Sequence, residues 1–170
     1  MHYRLRHIFR LSFLILMVLL YSCRTSKTKE TRKDNLNQVD RAQKTKVLLH
    51  TAFSYKGTAY KAGGIDKKGM DCSGLVITSF QKINVTLPRT SKEQSSIGIP
   101  IKESEAQAGD LLFFATSGKS KGINHVGIVT AVSGEKGVIF IHSTVKAGVM
   151  EDNLSEPYYR NSFIKAMRVY

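Results

Sequence analysis

The texture of the chain changes around Leu87-Pro88-Arg89-Thr90-Ser91. Upstream, apolar residues recur at helical spacing. Val47, Leu48, Ala52, Phe53 and Tyr55 form one set, and Leu75, Val76, Ser79, Phe80 and Ile83 form another. Downstream come short apolar runs: Asp110–Ala115, Asn124–Val132, Gly137–His142 and Phe163–Tyr170. Helices first and antiparallel strands after predict an α+β domain with its sheet packed on the helices. The first helix is expected from about Gln38 or Val39 to Lys56-Gly57, and the second ends near Asn84, ahead of Pro88.

The N-terminus is organised differently. Arg4, Arg6 and Arg10 precede a ten-residue apolar run, Leu11–Leu20. At about 1.5 Å per residue this run is too short for a ~30 Å bilayer core, so it reads as a signal-peptide core. Leu20-Tyr21-Ser22-Cys23 then resembles the bacterial lipoprotein box, although Tyr21 is bulkier than that box usually carries. The expected organisation is a signal peptide over 1–22, a disordered basic tether over 23–44 that begins at a lipidated Cys23, and a folded domain over 45–170. The resemblance implies a lipid-anchored, periplasm-facing envelope protein. Arg24 is not the Asp that signals inner-membrane retention in enterobacteria, which favours the outer membrane.

The net charge of +13 invites a nucleic-acid reading, and its distribution argues against one. Residues 23–46 hold eight Lys/Arg against three acids, while 47–170 hold fifteen against ten. The folded part is only mildly basic. A positive tail suits an anionic membrane or wall polymer, so no nucleic-acid partner is expected.

The chemistry centres on Met70-Asp71-Cys72-Ser73-Gly74. Cys72 falls in the first turn of the second helix, where the partial positive charge of the helix start favours a thiolate. With Cys23 consumed by lipid, Cys72 is left as the one thiol, and fast labelling at neutral pH is expected. Of the five histidines, His2 and His7 leave with the signal peptide and His50 lies on the first helix. His125 and His142 fall on neighbouring strands. If Ser133–Lys136 is a four-residue hairpin loop, Val132 pairs with Gly137 and His142 faces Gly127. His125 then lies on the same face, diagonal to His142, with Gly127 leaving open space between them. A one-residue change in the loop would put the two on opposite faces. Cysteine, base and orienting group form the minimum set for an activated thiol. His125 would take the thiol proton and return it to the leaving amine, and His142 would fix the tautomer of His125.

The motifs in order are Thr58-Ala-Tyr60-Lys-Ala-Gly63-Gly64, Gly69-Met-Asp71-Cys72-Ser73-Gly74-Leu75-Val76, Leu87-Pro88-Arg89-Thr90-Ser91 with Gln94, Gly109-Asp110-Leu111-Leu112-Phe113-Phe114, Asn124-His125-Val126-Gly127-Ile128, and His142. Together they resemble the NlpC family of papain-like bacterial cell-wall cysteine peptidases over about residues 45–170. The resemblance implies a papain-like fold acting on amide bonds of peptidoglycan stem peptides, next to D-glutamate or diaminopimelate. It implies Cys72 as nucleophile, His125 as base and His142 as the orienting residue, with no cofactor or metal and a monomer as the working form. Tyr60 would bind substrate or stabilise the oxyanion. The N–H groups of Cys72 and Ser73 are candidate oxyanion donors. Asp71 would cap the helix or buttress the loop, and Arg89 and Ser91 would shape the groove. Ala62 stands where such proteins commonly carry an aromatic.

Two other readings compete. One is a non-catalytic wall-binding lipoprotein on the same fold, against which the intact Cys/His/His set argues. The other is a zinc site from Cys72, His125, His142 and Asp71, which lacks any short paired ligand spacing.

Overall fold

The structure, a computed structural model, describes residues 35–118, 122–134 and 137–170. The expected signal peptide, the expected lipidation site Cys23 and the start of the expected tether lie outside those residues. The chain divides into two units, Met1–Ala42 and Gln43–Tyr170. In the first, residues 35–42 are helical: the helix expected from about Gln38 or Val39 is already formed at residue 35, within the stretch assigned to the tether. The segment contains no Gly or Pro, and Leu36, Gln38, Arg41 and Ala42 are compatible with a helix. Among the described residues no helix is long and apolar enough to cross a membrane.

The second unit opens with helix α1 (residues 43–54), which stops at Gly57 with φ +84°. A two-strand hairpin follows, β1 (Ile65–Asp66) and β2 (Gly69–Met70), and leads directly into α2 (Cys72–Gln81). That helix stops three residues sooner than expected. Lys82–Asn84 form a turn, and Asn84 takes φ +59°. A one-turn helix α3 (Ser91–Gln94) carries a complete capping box between Thr90 and Glu93.

Six strands make one antiparallel sheet: β3 (Ile99–Ile101), β4 (Leu111–Phe114), β5 (His125–Ser133), β6 (Gly137–Thr144), β7 (Gly148–Asn153) and β8 (Phe163–Arg168), in the order β3-β8-β4-β5-β6-β7. The helix α4 (Pro157–Ser162) separates β7 from β8. The last strand lies inside the sheet, between β3 and β4. Asp110 and Arg168 fasten it there, with Arg168 Nε and Nη2 donating to the two carboxylate oxygens at 2.9 and 2.7 Å.

Each face of the sheet has its own core. On one face, Leu111, Phe113, Val126, Ile128 and Ile141 pack against Leu75, Val76 and Phe80 of α2 and Leu48 and Ala52 of α1. On the other, Leu112, Phe114, Val129, Phe140 and Ala166 pack with Leu154 and Tyr159. Each fully buried Leu, Ile or Phe contributes about 1.5–3 kcal/mol, so these two layers hold the sheet in register.

The β5–β6 register fixes the histidines. Ser133 pairs with Gly137, so the loop is one residue shorter than the expected Ser133–Lys136. Left alone, this would move His142 to the wrong face. A β-bulge at Thr130 takes up the difference: Ala131 pairs with Ile139, but Val129 pairs with Phe140 and Ile128 with Ile141. Beyond the bulge the alignment is the one that sets His142 opposite Gly127.

Candidate active site

Asp71 organises the start of α2. It is the N-cap residue, and its Oδ1 accepts the Gly74 N–H at 2.7 Å while Oδ2 accepts the Gly63 N–H at 2.8 Å. Arg89 braces the same carboxylate from across the chain. Its Nη2 donates to Oδ2 at 2.6 Å, and its Nη1 reaches both Oδ1 at 3.1 Å and Ser73 Oγ at 2.8 Å. Burial works to raise the Asp71 pKa, but Arg89 and the two N–H donors outweigh it and hold the carboxyl below its usual range. The helix start is packed so closely on the preceding loop that a Cβ on Gly74 would sit 2.1 Å from the Gly64 carbonyl oxygen.

Cys72 is thereby presented at the first position of α2, and β5 meets it there. The N–H groups of Val126, Ser73 and Cys72 itself favour the thiolate. Burial nevertheless pushes the thiol above its ordinary value, and the neighbouring Asp71 charge adds to that rise. The helix start alone therefore does not make a resting thiolate.

His125 opens β5. Along that strand His125, Gly127 and Val129 alternate with Val126 and Ile128, which places the imidazoles on the face of the second core, away from α2. Around the end of β5, Cys72 and His125 line one cavity of about 760 Å3. His125 Nε2 lies 2.8 Å from His142 Nδ1, with the rings edge to face at 78°. The expected diagonal pair is present. The space beside Gly127 is filled, however: a Cβ there would lie 2.5 Å from the ring of Phe140.

Sequence reasoning missed two members of this site. Asp152 Oδ2 is 2.8 Å from His142 Nε2, and the Tyr159 hydroxyl donates to the same oxygen at 2.5 Å. Asp152 arrives because β7 pairs it with Phe140, one strand over from His142. Tyr159 arrives from α4 and stacks edge-on against His142 at 5.3 Å between centroids. No local pattern marks either residue. Burial pushes His142 down to about 4 and His125 down to about 3, where the nearby His142 also works against protonation and Asp152 partly opposes both. At neutral pH both imidazoles are uncharged.

Tyr60 lines the cavity, and burial together with the Cys72 and Asp71 charges raises its pKa. Asp71, Ser73, Arg89 and Ser91 do not line it. The first three form the network beneath the helix start, and Ser91 is buried at the first position of α3. Gln94 links that helix to the site from below, its amide donating to the carbonyls of Pro88 and Ser73. Ala62 is exposed. Both ring nitrogens of His142 are engaged, by His125 and Asp152. Among the described residues no group of three His, Cys, Asp or Glu is placed to hold a metal ion.

A cysteine at the head of a helix packed on an antiparallel sheet, with paired histidines on that sheet, defines the papain-like cysteine peptidase class. The chain belongs to the NlpC/P60 family, whose sequence profile matches residues 57–168. It is 38% identical over 117 residues to the probable endopeptidase NlpC of Escherichia coli, covering 68% of this chain and 72% of that protein. It is 30% identical over 146 residues to the murein DD-endopeptidase MepS/murein LD-carboxypeptidase of the same species, covering 85% and 73%. A crystal structure of a lipoprotein-like NLP/P60 family protein from Staphylococcus aureus superposes with a TM-score of 0.65 at 32% identity, over 75% of this chain and 41% of that one.

Proposed function

We propose that the protein is a cell-wall cysteine endopeptidase that hydrolyses amide bonds in peptidoglycan stem peptides or their cross-links, using Cys72, His125 and His142. The observation that carries this reading is the 2.8 Å contact between His125 Nε2 and His142 Nδ1 beside a cavity shared with Cys72. With Nε2 engaged, Nδ1 of His125 is the nitrogen that serves the thiol.

In the acylation step the Sγ proton moves to His125 Nδ1 as Sγ bonds to the substrate carbonyl carbon. Tyr60, which lines the cavity, donates to the developing oxyanion. His125 then gives the proton to the leaving amine nitrogen, the C–N bond breaks, and a thioester remains. Water attacks the thioester, again losing its proton to His125, and the free acid departs as the thiol re-forms. Because burial disfavours either isolated charge, the proton leaves Sγ as the new bond forms, and His125 works as a general base.

The likeness to murein peptidases supports wall peptide as the substrate. The reading is tested by digesting purified peptidoglycan and counting new amino groups. Wild type should release them and Cys72→Ala should release none; equal release from both overturns it. Mass spectrometry of the muropeptides then identifies the bond.

The same reading places the domain at 45–170, facing the periplasm from a lipid anchor on Cys23 after removal of 1–22, and working as a monomer. The lipobox-like Leu20–Cys23 stretch supports the anchor. Metabolic labelling with a palmitate analogue should mark wild type and leave Cys23→Ser unmarked; label retained on Cys23→Ser removes the anchor from the reading.

A further inference from the structure

We infer that Asp152 is a positioning residue for this reaction: through the row Tyr159–Asp152–His142–His125 its carboxylate dictates which ring nitrogen of each histidine carries the proton, and it balances the charge that reaches His125. This rests on the Cys72–His125 reading above.

The row has only one workable polarity. Asp152 Oδ2 receives the Tyr159 hydroxyl and faces His142 Nε2 at 2.8 Å. A carboxylate accepts and does not donate, so the proton of His142 sits on Nε2. Its Nδ1 is then a lone pair, and the group 2.8 Å away, His125 Nε2, must carry a proton to fill it. His125 is left with its lone pair on Nδ1, where a base must have it. His142 is fully buried, so no water can replace the carboxylate at its far nitrogen. Reversing the row would put the His125 proton on Nδ1 and leave Cys72 without an acceptor.

The carboxylate acts again during the reaction. Once Nδ1 takes the thiol proton, His125 is positive in a site whose other ionisable neighbours are Cys72 from α2, Tyr60 from the loop before β1, Tyr158 and Tyr159 from α4, and Lys146 from the β6–β7 turn. Asp152 is the carboxylate among the cavity's lining residues, and one imidazole separates it from His125. The effect lies in the barrier and not in substrate binding.

The test is Asp152→Asn in the full chain, assayed on peptidoglycan across pH. The expected result is a fall in kcat of about 10–100-fold, the worth of one charge-assisted hydrogen bond, with KM within about twofold. The acid limb of kcat/KM should move to lower pH, because an anion that favours the protonated histidine is gone. Unchanged kinetics would overturn the proposal. So would an acid limb moving up towards ordinary histidine, the mark of a brace whose loss lets water in. Nitrogen-15 NMR of the wild-type histidines gives a readout free of activity: protons on Nε2 of both rings are expected, and a proton on Nδ1 of His142 would refute the inference. Should wild type and Cys72→Ala both prove inactive, the catalytic reading fails while the NMR result still decides the proton positions.

Discussion

The backbone N–H of Val126 acts on the Cys72 thiol in favour of the thiolate, and the first turn of α2 packs against β5. The proposed nucleophile comes from the helical layer and the proposed base from the sheet. This contact sets one against the other without using the His125 ring. The thiol is presented and yet protonated because the N–H groups of Val126, Ser73 and Cys72 favour the thiolate but burial outweighs them.

Labelling of Cys72 by iodoacetamide should therefore be slow at neutral pH. Followed by mass spectrometry, its rate should lie below that of a free cysteine at pH 7 and climb as pH rises past the ordinary thiol value of about 8.5. A rate at pH 7 well above that of free cysteine would show a resting ion pair instead.

The buried histidines should make the fold sensitive to acid. Unfolded, each binds a proton near pH 6.5; folded, His142 does so only near 4 and His125 near 3. Between these values the unfolded chain holds more protons, so stability is full above about pH 6.5 and drains away as pH falls towards 4. For His142 alone the loss is roughly 3 kcal/mol. Urea midpoints at pH 7 and pH 4.5 should show the drop, and His142→Gln should reduce it; an equal drop in the variant assigns the effect to other groups.

Gly74→Ala should damage the protein although alanine normally suits a helix better by about 1 kcal/mol. The new Cβ would fall 2.1 Å from the Gly64 carbonyl oxygen, and backbone cannot swing aside as a side chain does. A lower melting temperature with peptidase activity lost is expected. Unchanged thermal unfolding and turnover would mean that the 61–64 loop moves freely.

Arg168→Ala should cost about 3–5 kcal/mol, because it removes the cation that pairs with the fully buried Asp110 carboxylate. Chemical denaturation measures it directly, and Asp110→Asn on the same background should recover part of the loss. Additive losses in the double variant would show that the two groups do not act as a pair.

What could be read from sequence was local or nearly so. The Asp71 cap, the placement of Cys72 at a helix start and the stop at Gly57 follow from residues within a turn of one another. The pairing of His125 with His142 was reached through a loop assumed one residue too long, and a bulge at Thr130 offsets the difference. Asp152, Tyr159 and the interior position of β8 depend on strand register and helix packing between distant segments, which no short window contains. The expected low pKa of Cys72 failed for a related reason. The helix start is local, but the burial that outweighs it is a property of the assembled layers.

The Thr130 bulge makes the β5–β6 hairpin a parity device. Its tip contributes one change of side and the bulge a second, and only the even total aligns the two imidazoles. Neither can be edited alone. A one-residue insertion at the tip, ordinarily a mild change, would transmit an odd count along the ladder and turn one histidine out of the site, unless the bulge were deleted with it.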